Sequence, residues 1–342
     1  MSAPGVSEPG AAVAAMVPPQ VEAVLLAGGP RLANLLAATE ERLFEVAEGH
    51  GETLAAHAVG TLGAGGKRLR PMLLFLCAGA VENLELVRAG AAVELVHMAT
   101  LVHDDVLDRA PLRRGRSTVY ADAGRTAATA TGDLLFSRAF AELVPTGSVA
   151  GLRALSAASS ALAHGELMQR ADAWSATVTP DRYLARCEHK TARLFEAACR
   201  LGATFGDVAA GREEARLATF GSRIGLAFQI LDDVLDVSGS AERTGKLRGA
   251  DLLDGTVTLP LILARARDPE LAELDLALAV RTPAQADALC ERIGRTGALE
   301  AARRQALEYV DDAKAALAGA QLGAERTEAL ELVADGVVER YA

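Results

Sequence analysis

Residues 84–108 of the chain read LELVRAGAAVELVHMATLVHDDVLD. Apolar residues recur at steps of three and four from Val87 to Val102, a spacing that predicts one long α-helix. Three aspartates stand in the last turn of this helix, shortly after Leu101 and Val102. A solvated acidic helix is not flanked by apolar residues in this way, so we expect these carboxylates to have a function.

The same five letters, DDVLD, stand at 104–108 and again at 232–236, and the second copy also follows an apolar stretch. Acids at i and i+4 share one helix face, and like charges there cost about 0.2–0.5 kcal/mol per pair. Mg²⁺ prefers carboxylate oxygens, and in enzymes it commonly also takes oxygens of substrate phosphates. The two motifs therefore predict metal sites, and the alternative is that the acids are solvated helix ends.

The rest of the chain also has a helical pattern. No run alternates apolar and polar residues for long enough to predict a sheet, and no linker follows residue 30. We therefore predict one all-α domain at 31–342, a large helical bundle, preceded by a disordered or weakly ordered tail at 1–30. Beyond the helices at 31–62, from Pro71 and at 84–108, helices are predicted near 125–142, 150–172, 180–206, 210–237, 259–267, 282–293, 297–318 and 324–341.

Composition narrows the class of protein. The 342 residues are 50% hydrophobic and carry a net charge of −10, which argues against a nucleic-acid partner. The four cysteines form no CxxC pattern, and the first basic residue is Arg31, so there is no start for a signal peptide. We expect a cytoplasmic protein without a transmembrane segment, with transient membrane contact left open.

Basic residues cluster near glycines and near the acidic motifs. GGKRLRP stands at 65–71, LRRGR at 112–116, Lys190-Thr191 further on and Gly245-Lys246 after the second motif. Arginine and lysine bind phosphate oxygens, and glycine lets a backbone approach an anion closely. Two acidic motifs with two sets of cations indicate two diphosphates, and an apolar helical interior suits a hydrocarbon attached to one of them. These patterns alone do not identify the reaction.

From about residue 30 onward the chain resembles the trans-isoprenyl (polyprenyl) diphosphate synthases. The motifs that carry the resemblance are GGKRLRP at 65–71, HDDVLD at 103–108, LRRG at 112–115, GE..Q at 165–169, KTA.LF at 190–195, FQILDDVLD at 228–236, GK...AD at 245–251 and TLP at 258–260. The resemblance implies an all-α fold in which two aspartate-rich helices face each other across a deep central cavity, and it implies a homodimer. It also implies head-to-tail condensation of isopentenyl diphosphate with an allylic prenyl diphosphate, using Mg²⁺ with three ions per site when substrate is bound.

The resemblance also assigns roles residue by residue. The implied metal ligands are Asp104, Asp105, Asp108, Asp232, Asp233 and Asp236. The implied isopentenyl diphosphate site comprises Gly66, Lys67, Arg70, His97 and Arg114. The implied allylic diphosphate site comprises Arg113, Lys190, Thr191, Gln229 and Lys246. The implied catalytic residues are Asp104, Asp105, Asp108, Lys190, Thr191, Gln229, Asp232 and Lys246. The chain departs from the family at Thr256, where many members have a lysine.

Product length is predicted from the residues that precede the first motif. Thr100 and Ala99 stand four and five residues before Asp104, or about 6–7.5 Å along a helix. The resemblance implies that a bulky aromatic residue at this depth closes the cavity and limits the product to a short chain. Both residues here are small. We expect products of C30–C50, with C20 as the alternative. Outside this activity, a non-catalytic subunit of a heteromeric synthase is the alternative, and a terpene cyclase fits less well because the second motif is also DDxxD.

Overall fold

The computed structural model describes residues 19–63, 66, 68–113, 115–209, 211–239 and 247–339. The helices are α1 Pro19–Ala47, α2 Glu52–Gly63, α3 Leu69–Ala78, α4 Leu84–Leu107, α5 Val119–Leu143, α6 Val149–Asp172, α7 Pro180–Cys187, α8 Arg193–Phe205, α9 Arg212–Ser238, α10 Ala250–Leu253, α11 Leu259–Arg265, α12 Pro269–Ala272, α13 Leu276–Ala279, α14 Pro283–Arg295, α15 Ala298–Leu317 and α16 Ala324–Glu339. A 3₁₀ turn lies at Val144–Thr146 and a π-helical turn at Glu188–Ala192. The predicted all-α fold is confirmed.

Helix α4 is the central helix of the bundle. It begins after Asn83, whose side chain accepts a hydrogen bond from the Leu86 amide at 2.8 Å. Buried side chains occur around its whole circumference, as expected for a helix enclosed by others. It is long and apolar enough to cross a membrane by length and composition, but 72% of its most apolar window is buried inside the fold. It is therefore a core helix here.

The neighbours of α4 assemble the rest of the bundle. α4 packs against α5, α1, α3 and α8, while α9 packs against α8 and α15. The last helix, α16, returns to pack against α1. Because α8 contacts both α4 and α9, it connects the two helices that end in acidic motifs.

A two-stranded antiparallel ribbon follows α4. β1 (Leu112–Arg113) pairs with β2 (Arg116–Ser117) around Gly115, which has a φ of 74°. The sequence pattern predicted no sheet, since strands of two residues are too short to show alternation. The ribbon matters because it returns the chain to the end of α4.

The expected tail at 1–30 is wrong over residues 19–30, which belong to α1. Val24 is 3% exposed and Leu25 packs against the core, so apolar contacts order this segment. Gly29 has a non-helical φ of 63°, and a break at Gly29-Pro30 makes the periodicity look as if it starts at Arg31. Residues 1–18 lie outside the described residues.

The structure contains short elements that the sequence pattern did not predict as separate. The predicted helix at 180–206 is α7, the π-turn and α8 in succession. Between the predicted helices at 210–237 and 259–267 lies a further helix, α10, which has only four residues. Single turns of this kind are stabilised by tertiary contacts and are too short for periodicity to reveal.

Candidate active site

The first acidic motif lies at the C-terminal end of α4, where Asp108 caps the helix. Asp105 is 5% exposed and accepts a hydrogen bond of 2.8 Å from Nε of Arg113 on β1. Asp104 and Asp108 are separated by four residues and share another face of the helix. Arg113 of the ribbon therefore neutralises the charge of Asp105, while Asp104 and Asp108 lie together on another face of α4.

Asp104 has an environment that favours a cation. Burial raises the pKa of its carboxyl to about 6, Lys190 counteracts this rise, and the charges of Glu166 and Asp108 add to it. A carboxylate that is costly to ionise among other carboxylates gains free energy when a cation binds beside it. The first motif therefore has both the ligand type and the electrostatics of a cation site.

The second acidic motif lies at the C-terminal end of α9, and its middle aspartate is again the enclosed one. Asp233 is 4% exposed and accepts hydrogen bonds from the Tyr183 hydroxyl at 2.6 Å and from Gln229 Nε2 at 2.7 Å. Burial raises its pKa to about 8, and the negative charge of Asp251 contributes to the rise. Asp236 Oδ2 accepts a weaker hydrogen bond of 3.3 Å from the Asp251 amide, which ties the following segment to the motif.

The π-turn at Glu188–Ala192 lies between the two motifs. Lys190 Nζ donates to Glu166 Oε2 at 2.5 Å on the side of the first motif, and the charge of Asp104 raises the pKa of Lys190 although burial opposes this. Thr191, the next residue, donates its hydroxyl to Gln229 Oε1 at 2.6 Å on the side of the second motif. A π-turn adds one residue to a helical turn and is common at functional sites. Here it allows consecutive side chains to reach the two motifs.

The structure assigns different surroundings to the predicted basic residues. The guanidinium of Arg70 on α3 lies 4.5 Å from the centre of the Phe195 ring, and the Phe195 ring contacts Phe228, which precedes Gln229.

The other described residues of the predicted isopentenyl diphosphate site are at least partly exposed. Gly66 is exposed before α3, and His97 is partly buried two turns before Asp104 on α4. The predicted phosphate contacts Lys67, Arg114 and Lys246 lie outside the described residues.

Arg68, the middle cation of GGKRLRP, has a structural role. Its Nε and Nη2 each donate to Glu40 at 2.8 Å, and its Nη1 donates to Glu94 at 2.7 Å. The backbone there is left-handed, with a φ of 46°, and it starts α3. This cation joins α1, α3 and α4, so it does not face a phosphate.

Sequence reasoning assigned no role to three further residues at the site. Glu166 accepts hydrogen bonds from Lys190 and Arg170, and Arg170 donates to Asp108 at 2.6 Å. Asp254 follows α10, and its pKa is raised by burial and by the charge of Asp108. Glu166 lies within GE..Q and Arg170 directly follows that motif, so the two are an acid and a cation at i and i+4, a spacing from which their pairing was predictable.

The donor set fits Mg²⁺ when a phosphate ligand is present. Over the described ranges, no group of three or more histidine, cysteine, aspartate or glutamate side chains is arranged to hold a metal ion. Mg²⁺ usually takes one or two carboxylates and completes its shell with water and substrate phosphates. Asp104, Asp108 and Asp232 carry carboxylates of this kind at the ends of two helices.

Comparison with known proteins identifies a family and relatives that this chain resembles. The polyprenyl synthetase family model matches residues 52–293. The chain is 37% identical over 300 residues to heptaprenyl diphosphate synthase component 2 of Geobacillus stearothermophilus, covering 86% of this chain and 92% of that protein. It is 37% identical over 263 residues to the octaprenyl diphosphate synthase of Escherichia coli K12, covering 74% and 80%.

A solved structure matches most of the chain. The polyprenyl synthase of Caulobacter crescentus CB15, in complex with calcium and isoprenyl diphosphate, superposes with a TM-score of 0.86 and 36% identity over 94% of this chain and 98% of that chain. A protein of this fold therefore binds a divalent metal and a prenyl diphosphate.

The fold and the paired carboxylate motifs define the class of the protein as a trans-prenyltransferase. The chain belongs to the polyprenyl synthetase family. The resemblance and the enzyme class expected from the sequence are both confirmed.

Proposed function

We propose that the protein condenses isopentenyl diphosphate head to tail onto an allylic prenyl diphosphate and releases a polyprenyl diphosphate of C30–C50. The observation that carries this is the π-turn, whose consecutive residues approach both motifs: Lys190 interacts electrostatically with Asp104, and Thr191 donates to Gln229, which in turn donates to Asp233. One turn thereby links two sites that each suit a metal-bound diphosphate.

The first and second motifs would hold Mg²⁺ through Asp104, Asp108 and Asp232, with three ions per loaded site. When bound, Mg²⁺ neutralises the charge that develops on the departing diphosphate. Lys190 faces the same charge, and it is fixed in place before substrate arrives. Thr191 and Gln229 form one hydrogen-bonded pair, which would orient their oxygens beside the allylic carbon as it becomes electron-poor.

The proposed residues of the two diphosphate sites keep the assignment made from the sequence. Arg70, His97, Gly66, Lys67 and Arg114 would bind isopentenyl diphosphate. Arg113, Lys190, Thr191, Gln229 and Lys246 would bind the allylic diphosphate. Arg113 already donates to Asp105, so it stands next to the first motif and can add a second hydrogen bond to a bound phosphate.

The proposed product length rests on relatives and on small side chains. The relatives compared above are named as heptaprenyl and octaprenyl synthases, which make products within C30–C50. Ala99 and Thr100 leave the helix below Asp104 without a bulky side chain. The alternative product is the C20 geranylgeranyl diphosphate.

One assay tests the proposed reaction. Purified protein is given Mg²⁺, farnesyl diphosphate and labelled isopentenyl diphosphate, and the products are separated by chain length. Label in C30–C50 diphosphates supports the proposal, and products that stop at C20 select the alternative. A hydrocarbon product without incorporated label would instead indicate a cyclase.

A second candidate function is that of one subunit in a heteromeric synthase. It is favoured by the relative from Geobacillus stearothermophilus, which is named as component 2 of its enzyme. We propose instead that the chain acts as a homodimer, because it keeps both aspartate motifs and the Lys190–Thr191 turn. Turnover by the purified chain alone, with a dimer mass by light scattering, supports this. Turnover that requires a second protein from the host would replace it.

We also place the protein in the cytoplasm, with transient membrane contact during release of its hydrocarbon product. The four cysteines are free, buried thiols, as expected in a reducing compartment. Fractionation of cells followed by immunodetection tests this location.

A further inference from the structure

Glu166 of α6 joins two cations of the active site. Its Oε1 accepts a hydrogen bond from Arg170 Nε at 2.9 Å, and its Oε2 accepts one from Lys190 Nζ at 2.5 Å. Its side chain is 18% exposed. Burial alone would raise the pKa of Glu166, but the charges of Lys190 and Arg170 outweigh burial and lower it, so the residue is an anion at neutral pH.

The two cations lead to the two outer aspartates of the first motif. Arg170 Nη2 donates to Asp108 Oδ1 at 2.6 Å. Lys190 interacts electrostatically with Asp104, whose charge raises the pKa of the lysine. One glutamate on a neighbouring helix thus connects to both members of the i, i+4 pair, in the order Asp108, Arg170, Glu166, Lys190 and Asp104.

This arrangement determines which oxygens remain for a metal. Arg170 occupies one oxygen of Asp108 and leaves Oδ2 for another ligand. Lys190 is attracted by Asp104, and an ammonium group in direct contact with that carboxylate would compete with a metal ion. Glu166 holds the ammonium at its own carboxylate, which keeps Asp104 accessible. Hydrogen bonds that orient metal-ligating carboxylates typically change metal affinity or activity by 10- to 100-fold when they are removed.

We propose that Glu166 is a positioning residue of the active site, which holds Arg170 and Lys190 so that Asp108 and Asp104 present free oxygens to Mg²⁺ and Lys190 faces the allylic diphosphate. The inference rests on the proposed function and adds a residue to which that function assigned no role. Glu166 does not touch the reacting atoms, and it acts through the two cations.

The decisive variant is Glu166→Gln. Glutamine keeps the length and shape of the side chain but removes the charge, and its Nε2 cannot accept a hydrogen bond. One of the two cations must then lose its partner and is free to move onto Asp104 or Asp108. Glu196→Gln is the matched control, because Glu196 also accepts from two cations, Arg193 at 2.8 Å and Arg200 at 2.9 Å, and its side chain is 14% exposed.

Binding is measured by calorimetric titration of Mg²⁺ into protein that holds an allylic analogue in which sulfur replaces the bridging oxygen, so that no reaction occurs. We expect Glu166→Gln to weaken Mg²⁺ binding by about 10- to 100-fold. In steady-state assays it should raise the KM for the allylic substrate and the Mg²⁺ concentration for half activation, with the KM for isopentenyl diphosphate changed less than about twofold. Glu196→Gln should match the wild type in every measurement.

Two further measurements keep the outcome clear. Thermal unfolding of each variant shows whether α6 stays folded, and Glu166→Asp, which retains the charge, should recover part of the Mg²⁺ affinity. Equal Mg²⁺ affinity of the Glu166→Gln and Glu196→Gln variants would overturn the proposal, as would an equal rise in both substrate KM values. Failure of the proposed function would be seen separately, because the wild-type protein itself would then make no polyprenyl diphosphate. That result does not depend on how Glu166→Gln changes Mg²⁺ binding.

Discussion

Neighbouring aspartates in each motif meet different surroundings. Asp105 and Asp233, the middle residues, are 5% and 4% exposed and accept hydrogen bonds from protein donors. Asp104 and Asp108 share another face, where Lys190 and Arg170 approach them. Successive side chains on a helix diverge by about 100°, so a DDxxD sequence gives its middle aspartate a different direction from its ends.

The first prediction concerns the ligating aspartates. Asp104→Ala and Asp232→Ala should each lower kcat by roughly 10²–10³-fold or more, because charge stabilisation at the leaving diphosphate is lost. Thermal unfolding should show an intact fold. Asp311→Ala is the control, because Asp311 is exposed on α15 and has no acid four residues later. Near-normal kcat in both motif variants would refute the metal assignment.

The second prediction concerns product length and distinguishes two adjacent small residues. Thr100 is partly buried and lies four residues before Asp104, so the two share a helix face, whereas Ala99 is fully buried. Thr100→Tyr should therefore shorten products to about C15–C20 while the protein keeps its stability. Ala99→Tyr should also shorten the products. It should lower the free energy of unfolding by about 1–3 kcal/mol, because the new ring must displace packed neighbours.

Chromatography of the products and urea unfolding of both variants check this prediction. Thr100→Ser is the control, because serine is also small and keeps the hydroxyl that donates to the His97 carbonyl oxygen, and it should leave product lengths unchanged. If neither tyrosine variant alters the products, the length limit is set elsewhere in the fold.

At the scale of elements, the π-turn is held between two closely approaching helices. A Cβ on Gly165 of α6 would lie 2.5 Å from the Lys190 amide nitrogen, and a Cβ on Gly225 of α9 would lie 2.5 Å from Cα of Ala192. Real Cβ atoms do not come this close, so only glycine permits the observed packing at these two positions. The helices thereby fix the backbone that carries Lys190 and Thr191.

The third prediction follows from this contact. Gly165→Ala must push the π-turn away from α6, and displacement of catalytic groups by about 1 Å can cost roughly 10²-fold in rate. We expect kcat to fall by roughly 10- to 100-fold, measured with saturating substrates. Gly60→Ala on α2 is the control, since nothing lies within 4 Å of its added Cβ. It should leave kcat unchanged and raise the free energy of unfolding by at most about 1 kcal/mol. Equal kcat in the two variants would show that the π-turn tolerates displacement.

At the scale of the whole molecule, folding encloses carboxyl groups that are costly to ionise. Asp233 is surrounded by α7, α9 and the segment that carries Asp251, and burial raises its pKa to about 8. The pKa in the unfolded chain is near 3.9. Because the folded value is the higher one, the unfolded chain releases the proton first as pH rises. The contribution of Asp233 therefore lowers the stability of the metal-free protein progressively between about pH 4 and pH 8.

The fourth prediction tests this linkage. Asp233→Asn stays neutral, so its stability relative to the wild type should increase with pH, by on the order of 1–3 kcal/mol between pH 5 and pH 8. Urea unfolding with a chelator present gives both values. Asp311→Asn, at an exposed site, should keep a constant difference from the wild type. A constant difference for Asp233→Asn as well would mean that burial does not shift this carboxyl.

The sequence by itself determined the helical class, the course of α4 and the two acidic motifs. These features are local, because helical periodicity and an i, i+4 pair are properties of a few successive residues. The predicted helix at 84–108 agrees with α4 within one residue, and the resemblance to the family was carried by short ordered motifs.

Tertiary structure alone decided how these parts meet. Nothing in the local sequence reveals that Arg68 binds Glu40 and Glu94, or that Glu166 contacts Lys190, since these partners are 24–28 residues apart. The π-turn and the order in residues 19–30 likewise depend on packing against distant helices. Periodicity reports which face of an element is apolar, whereas the choice of partner for each polar group follows from the arrangement of the whole chain.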